Sequence, residues 1–418
     1  MRLRWRSRGL SEDKFGAWQT VKFADQLQLI LSGCFGRRGL SAAAKDLLTV
    51  ALSVHSIERS LTIYSGTNRP VAFDVRLELE EPERWTTVAV QHLSELLQFQ
   101  GDATWQWTFL PTKRATSVDS RAVQIVDREI DQAVLFSGGL DSTSGIATLC
   151  SNANRIQLVS HYSKQKSDQN AIAEKLGYLP PIQARIVRKE LGSRGRAFLY
   201  RSFYFLCLGG AAAASYDIKS ILQFENGMLA AAIPPAPTYF MTRHAHPIIH
   251  RHAEMIFSEI FGGTWTISNP FLSMTKKDAV AAMRKAVGKK LFDQLIPLTE
   301  TCWYKNSNQF RGNHAKANGK PCGVCIPCIV RRTAMGISEG EFDLEEAAVK
   351  SDPILSREFD AYSQFVDWIK AHQKTPNRIL LELPGYVREM TRGTSPALDR
   401  TQLSSLLDRF AKDFRNAF

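Results

Sequence analysis

The sequence predicts an α/β protein built on a doubly wound parallel sheet. A short apolar run at residues 133–136, followed closely by two glycines, is typical of a strand that is buried on both faces of a parallel sheet. Further strand candidates alternate with helical stretches along the chain, which is the pattern of repeated strand–helix–strand units. The strand candidates are residues 156–160 and 218–223, and the helical stretches are residues 169–176 and 195–215.

The residues before this sheet predict a further α/β region. Helical periodicity is present at residues 41–60 and 85–98, and strand-like alternation at residues 70–79 and 104–110. Residues 111–131 are polar and charged, and we interpret them as a linker.

Three parts are therefore expected. A length of 418 residues suits two or three domains. We predict an N-terminal α/β accessory domain at residues 1–130, a core domain at residues 131–340 and a C-terminal helical extension at residues 341–418.

The composition indicates an ordinary globular chain with a basic surface. Hydrophobic residues make up 44% and charged residues 22% of the sequence. The net charge of +12 favours an anionic partner but does not choose between nucleotide, tRNA and acidic protein. No apolar run approaches the roughly 20 residues of a membrane span, so we expect a cytoplasmic protein with no membrane partner.

A glycine loop after the run at residues 133–136 is the strongest motif. Two adjacent glycines can adopt positive φ and let backbone N–H groups approach an anion, and the hydroxyls that follow lie at the positive end of a helix. We predict that this loop binds the phosphates of a nucleotide. Its residues are Ser137, Gly138, Gly139, Leu140, Asp141, Ser142 and Thr143.

The carboxylate of Asp141 sharpens this prediction. A carboxylate beside phosphates is repulsive unless it caps the helix or helps to hold Mg²⁺, so we expect one of these two roles. The sequence has no Gly-x-x-x-x-Gly-Lys-Ser/Thr loop, which disfavours a P-loop NTPase. The alternative is a capped strand-to-helix turn without a ligand.

Four cysteines near the end of the chain predict a structural zinc site. Their spacing, C-x₁₉-C-x₂-C-x₂-C, suits closed tetrahedral Zn²⁺ coordination. The alternatives are a redox C-x₂-C pair or buried thiols, and His314 is a possible substitute ligand. Seven cysteines, an odd number, argue against a disulfide framework. The four predicted ligands are Cys302, Cys322, Cys325 and Cys328.

Both motifs resemble a known family. Ser-Gly-Gly-Leu-Asp-Ser looks like the loop of ATP pyrophosphatases, and the cysteine segment followed by Arg331 and Arg332 is similar to that of 7-cyano-7-deazaguanine synthases (QueC). The resemblance covers about residues 133–336. It implies a sheet of the adenine-nucleotide alpha-hydrolase (PP-loop) type, with the zinc knot at residues 302–328, and ATP, Mg²⁺ and Zn²⁺ as cofactors.

The resemblance also implies an activity. QueC enzymes activate the carboxylate of 7-carboxy-7-deazaguanine with ATP, and ammonia then attacks. The extra residues at both ends of this chain resemble those of QueC-like components of bacterial anti-phage systems of the Qat type. We therefore expect adenylation of a 7-deazaguanine carboxylate, with ammonia or an amine of an operon-encoded partner protein as acceptor.

Several residues between the motifs are candidates for the same site. By resemblance, Asp141, Ser142 and Lys276 take part in catalysis. A carboxylate can accept the N–H donors of a guanine-like ring, and arginines can hold phosphate or carboxylate. The alternatives are solvated turns, solvated arginines and, for Lys276, a capping-box-like turn at the start of a helix. The candidates for substrate binding are Arg194, Arg196, Arg201, Glu225, Asn226 and His246.

Histidines cluster in the segment that contains His246. His244, His250 and His252 accompany it, and His-x-His spacing can bind a metal or move protons. Because no carboxylate pattern beyond Glu254 accompanies them, we favour a substrate-pocket loop over a second metal site.

Two other classes of function stay open. The basic charge fits a tRNA-modifying enzyme, whose binding would be strongly salt-dependent. A subunit that binds ATP but mainly serves as a scaffold in a defence complex is the third possibility.

Overall fold

The structure is a computed structural model, and it describes 13 stretches of the chain. They are residues 2–8, 19–22, 27–60, 72–112, 118–161, 166–188, 199–236, 241–300, 302, 321–336, 353–373, 376–392 and 397–418. The chain forms two compact units. The first comprises Met1–Ser137, Cys150–Gln223 and Thr242–Asn269, and the second comprises Gly138–Leu149, Phe224–Met241 and Pro270–Phe418.

All strands of the described residues that form the two sheets lie in the first unit. In chain order they are β1 (Arg2–Arg8), β2 (Gln19–Lys22), β3 (Leu27–Phe35), β4 (Ala72–Leu79), β5 (Thr104–Pro111), β6 (Val118–Ile125), β7 (Gln132–Leu135), β8 (Ile156–His161), β9 (Ile182–Arg188), β10 (Ser220–Gln223) and β11 (Thr266–Ser268).

The larger sheet has seven strands in the order β11-β10-β7-β8-β9-β3-β6. Every neighbouring pair is parallel except β9 and β3, which are antiparallel. The prediction of an α/β fold with a mostly parallel sheet is therefore confirmed. The central strands β7 and β8 are almost wholly buried, as their apolar sequences indicate.

The smaller sheet has four strands in the order β2-β1-β4-β5. The first two pairs are antiparallel, and β4 and β5 are parallel. Aromatic rings pack along it: Trp105 stacks on Trp107 with ring centroids 5.6 Å apart, and Phe73 lies 4.4 Å from Trp105. Such contacts add to the stabilisation from buried area.

The α-helices lie in both units. In chain order they are α1 (Ala42–Ser60), α2 (Thr87–Gly101), α3 (Leu140–Thr148), α4 (Lys166–Lys175), α5 (Arg201–Ser215), α6 (Gly227–Ala230), α7 (Pro247–Phe261), α8 (Lys276–Leu295), α9 (Ile326–Met335), α10 (Pro353–His372), α11 (Pro376–Glu382), α12 (Gly385–Glu389) and α13 (Arg400–Ala417).

In the first unit, α1 packs on α5, and α2 packs on α7. Small residues allow close packing in α5, since a Cβ on Gly210 would lie 2.9 Å from the ring of Phe257. The core joins buried residues of α1 and α5 to those of β3 and β4.

The second unit is helical. Buried aromatic and aliphatic residues of α9, α10 and α13 form its core, with Tyr362 and Phe410 among them. The helix α8 begins with a capping box in which Thr275 and Asp278 satisfy each other's backbone N–H groups. The hydroxyl of Thr275 also donates to Asp413 on α13 at 2.8 Å, which joins the two helices.

Most of the predicted elements are present. The helices at residues 41–60 and 85–98 correspond to α1 and α2, and the strands at residues 70–79 and 104–110 to β4 and β5. Residues 133–136, 156–160 and 218–223 correspond to β7, β8 and β10. Of the predicted helix at residues 195–215, α5 covers the part after residue 200, and residues 195–198 lie outside the described residues.

The prediction of a linker at residues 111–131 was wrong in part. Residues 118–125 form β6, an edge strand that pairs with β3 in parallel. Most of its side chains are partly or fully exposed, because an edge strand is held by its backbone hydrogen bonds and needs little apolar surface. The seven-stranded sheet thus takes strands from both sides of residue 130.

Among the described residues, no helix combines the length and the apolar character that crossing a membrane requires.

Candidate functional site

The glycine loop leads into the N-terminus of α3 in the second unit. Gly138 has a φ of +79°, a left-handed conformation that favours glycine. Gly139 does not use this freedom: it is extended, with φ −76°, and is the N-cap of α3. The first N–H groups of a helix have no intrahelical partner, because no turn of the helix precedes them.

The other residues of this loop have different surroundings. Ser142 donates its hydroxyl to the carbonyl of Gly139 at 3.1 Å. The hydroxyl of Thr143 is buried and has no hydrogen-bond partner among the described residues. The carbonyl of Ser137, which belongs to the first unit, accepts from Gln169 at 2.9 Å, and Leu140 is buried and apolar.

Asp141 lies in the first turn of α3 and is only 6% exposed. It does not cap the helix. Its Oδ2 forms an ion pair with the ammonium of Lys276 and accepts from Asn226 at 3.2 Å. Its Oδ1 is buried, and no described residue hydrogen-bonds to it. Burial raises the pKa of Asp141 to about 7, Lys276 opposes this rise, and the neighbouring Glu225 adds to it.

Lys276 is the first residue of α8 and is 3% exposed. A cation at the positive end of a helix is placed unfavourably with respect to the helix dipole. A buried ammonium also requires a compensating charge, which Asp141 supplies. Ionisable groups that are buried against a specific charge partner are common at functional sites.

Glu225 and Asn226 complete this cluster. They follow β10 in the chain, and Asn226 caps the short helix α6 by accepting from the N–H of Leu229. The amide of Asn226 donates to Glu225 at 3.1 Å as well as to Asp141. One amide therefore fixes two carboxylates, and the cluster comprises Asp141, Glu225, Asn226 and Lys276.

A close packing contact explains a glycine within α3. A Cβ on Gly145 would lie 2.0 Å from the ring of Phe224, so any side chain there would displace the residue that precedes Glu225. The ring of Phe224 in turn packs edge-on against Phe271, with centroids 4.9 Å apart.

The four predicted cysteines converge in the second unit. All four sulfur atoms lie within 4.8 Å of one another, and a tetrahedral ion with Zn–S bonds of about 2.3 Å separates its ligands by about 3.8 Å. Cys322 donates its N–H to the sulfur of Cys302 at 3.2 Å, and Cys325 donates to that of Cys322 at 3.4 Å. The cluster can therefore bind Zn²⁺, with four ligands and no open position.

Neighbouring residues hold this cluster in place. Arg331 is buried and donates to the hydroxyl of Thr299 at 2.8 Å, and Arg332 lies over the ring of Phe418 at 4.7 Å. Hydrogen bonds from the other three thiols lower the pKa of Cys302, which favours a thiolate ligand.

Glu300 joins the two motifs, and the sequence interpretation did not single it out. Its N–H donates to the carbonyl of Gly138 at 3.2 Å, and its carboxylate accepts from the N–H of Cys302 at 3.0 Å. The signal in the sequence was its place in the cysteine segment, two residues before a predicted ligand. The cysteine cluster thereby supports the conformation of the glycine loop.

Two of the remaining candidates lie in the first unit. Arg201 begins α5, and its guanidinium lies 5.6 Å from the ring centroid of Phe205. His246 is fully buried and caps α7, accepting from the N–H of Ile248 at 3.2 Å. Arg194, Arg196 and His314 lie outside the described residues.

The histidines near His246 have separate surroundings. His250 contacts the amide oxygen of Gln223 at 2.9 Å, and burial lowers its pKa to about 4. His244 contacts the hydroxyl of Thr242 at 3.0 Å. Neither forms part of a metal-ligand cluster among the described residues.

The second unit thus combines a glycine turn, a helix N-terminus, two carboxylates and a buried ammonium. Backbone N–H groups and an ammonium attract phosphates, and carboxylates attract divalent cations. No protein-family model and no curated protein matches the chain.

Proposed function

We propose that this protein is an ATP-dependent enzyme of the ATP-pyrophosphatase (PP-loop) type that adenylates a carboxylate. The observation that carries the proposal is the buried pair of Asp141 and Lys276 beside the glycine turn at the start of α3. A capped turn without a ligand needs neither a buried ion pair nor an unpaired carboxylate oxygen, and both cost stability.

The residues present fit ATP and Mg²⁺. Gly138 leaves room for a phosphate, and the N-terminus of α3 offers N–H donors. Asp141 Oδ1 and the hydroxyl of Thr143 are buried oxygens without hydrogen-bond partners among the described residues, and such oxygens are the ligands that Mg²⁺ prefers. When bound, Mg²⁺ would neutralise phosphate charge. Lys276 supplies a second positive charge once Asp141 engages the ion.

The proposed reaction has two steps. A carboxylate oxygen of the substrate attacks the α-phosphorus of ATP, and pyrophosphate leaves. An amine then attacks the activated carbonyl, AMP leaves and the amine loses a proton. We take the substrate to be a 7-deazaguanine carboxylate, because Glu225 can accept the ring N–H donors and because the two sequence motifs resemble those of QueC enzymes.

The amine is proposed to belong to an operon-encoded partner protein, in an anti-phage role. Ammonia requires no docking surface, whereas a protein amine does, and a chain with a net charge of +12 can offer one to an acidic partner. The four cysteines are proposed to bind Zn²⁺ as a structural ion.

Pyrophosphate release tests the first step. The chain is incubated with ATP, Mg²⁺ and 7-carboxy-7-deazaguanine, and pyrophosphate is measured for Asp141→Asn and Ser142→Ala. We expect Asp141→Asn to lower the rate at least about 100-fold, since removing one group that stabilises a transition state typically costs about 10²–10³, and Ser142→Ala to lower it as well. Asp293→Asn on α8, which removes an exposed ion pair with Lys289, is the matched control and should retain the rate.

Two results would contradict the proposal. Wild-type rates of pyrophosphate release in both variants would show that the glycine loop takes no part in the reaction. ATP binding without pyrophosphate release by the wild-type chain would instead support the scaffold function.

Intact-mass spectrometry tests the acceptor. The same incubation includes each operon-encoded neighbour, and we expect one neighbour to gain the mass of the deazaguanine acyl group. A free amide or nitrile product, with no mass added to any neighbour, would defeat conjugation and leave a small-molecule synthase.

A further inference from the structure

Two helices of the first unit bring together three potential metal ligands. His92 and Glu95 lie one turn apart on α2, and His252 lies on α7. Nδ1 of His92 is 2.9 Å from Nδ1 of His252. Oε2 of Glu95 is 3.6 Å from the first of these nitrogens and 3.5 Å from the second. All three side chains are partly exposed, so an ion from solvent can reach them.

We propose that His92, Glu95 and His252 form a binding site for a divalent transition-metal ion of the Zn²⁺ type, separate from the four-cysteine cluster. Bonds of about 2.0–2.1 Å with angles of about 90–109° place neighbouring ligand atoms about 2.9–3.4 Å apart. The three observed separations lie within or close to this range. Coordination would bring Oε2 of Glu95 nearer to both nitrogens by a few tenths of an ångström.

Hydrogen bonding explains these separations less well. The contact between the two imidazoles is a hydrogen bond, but 3.5 and 3.6 Å are too long for good hydrogen bonds from an imidazole to a carboxylate. The other oxygen of Glu95 accepts from the amide of Gln91 at 2.9 Å. That bond fixes the carboxylate with Oε2 towards the imidazoles, as outer partners of metal ligands commonly do.

The ligand set selects the kind of ion. Imidazole nitrogens suit Zn²⁺ and its transition-metal neighbours, whereas Mg²⁺ and Ca²⁺ prefer ligand sets made of oxygen alone. Each imidazole would bind through Nδ1 and carry its proton on Nε2. Three protein ligands leave a fourth position for water.

The ion would link α2 to α7. These helices already pack on each other, and the hydroxyl of Thr86 donates to Glu259 at 2.6 Å between them. Metal binding to the folded state alone stabilises that state by mass action. We therefore expect the ion to stabilise the first unit.

Equilibrium dialysis of the full chain against Zn²⁺, followed by elemental analysis, tests the site. The wild-type chain should bind two ions, one at the cysteines and one here. His252→Ala and Glu95→Gln should each lower the affinity for the second ion. The loss should exceed about 10–100-fold, which is the usual effect of removing a residue that only hydrogen-bonds to a metal ligand. His372→Ala, on α10 and in no metal-ligand cluster of the described residues, is the matched control and should still bind two.

Titration with Co²⁺ separates the two sites, since only thiolate ligands give sulfur-to-metal charge-transfer absorption. In the wild-type chain, we expect one Co²⁺ ion to bind without that absorption. In Glu95→Gln, we expect this ion not to bind. Glu95→Gln keeps the size of the side chain, so it tests the site even if His252→Ala fails to fold. A wild-type chain that binds ions only at the cysteines would overturn the proposal. Retention of the second ion by Glu95→Gln at wild-type affinity would overturn it as well.

Discussion

Replacement of Lys276 by methionine tests the physical account of the candidate site. Methionine matches the length and apolar stem of lysine but lacks the ammonium, so Asp141 loses its compensating charge and keeps the hydrogen bond from Asn226. Breaking one partner out of a buried ion pair typically costs about 3–5 kcal/mol, because an uncompensated charge stays buried. Because the carboxyl of the variant can take up a proton instead of staying charged, we expect a loss at the low end of that range, about 3 kcal/mol, in the free energy of unfolding at pH 8.5.

The loss should depend on pH in a defined direction. Burial raises the pKa of Asp141 from 3.8 to about 7, and Lys276 opposes this rise, so Lys276→Met raises it further. The folded state then binds a proton that the unfolded state releases, and stability falls as pH rises above 3.8 towards and beyond 7. At pH 6 the carboxyl is neutral in the variant, and we expect the loss to shrink to about 1 kcal/mol, the usual net value of one hydrogen bond.

Urea denaturation followed by circular dichroism at both values of pH measures these losses. The matched control is Lys289→Met on the same helix, which removes an exposed ion pair and should cost less than about 1 kcal/mol at either pH. Adding Asp141→Asn to Lys276→Met should recover most of the loss at pH 8.5. An equal loss at both pH values, or a double variant less stable than Lys276→Met, would refute the reasoning.

Two further predictions concern zinc and acid stability. Cys325→Ser should lower the zinc bound at the cysteine cluster from about one ion per chain and reduce the thermal stability of the second unit, because structural zinc binding is coupled to folding; elemental analysis that finds no cysteine-dependent zinc in the wild-type chain would contradict this. Burial raises the pKa of Asp46 from 3.8 to about 6, although the hydrogen bonds that its carboxylate accepts from the N–H groups of Glu80 and Glu81 lower this pKa. The wild-type chain should therefore lose about 2 kcal/mol more than Asp46→Asn as pH rises from 4 to 7. Parallel pH profiles in urea denaturation would disprove this prediction.

The sequence by itself determined the class of the fold and the two motifs. Apolar runs such as residues 133–136 are typical of strands buried on both faces, as in a parallel sheet. The cysteine spacing predicted a cluster of four sulfurs, and the structure brings them together. These predictions succeeded because the signal is local: it is contained in periodicity or in residues a few positions apart.

Only the tertiary structure decided which distant residues meet. Lys276 lies 135 positions from Asp141, and although the resemblance placed both in one site, nothing in the sequence indicates that Lys276 is buried against this carboxylate. His92 and His252 are 160 positions apart, so the histidines near His246 gave no sign of a partner on α2. The strand β6 escaped prediction for a related reason, since an edge strand is defined by a neighbour's backbone and not by its own apolar side chains. The sequence shows which ionisable and metal-binding side chains are present. Which of them form ion pairs or share a metal is determined by packing between elements that are far apart in the chain.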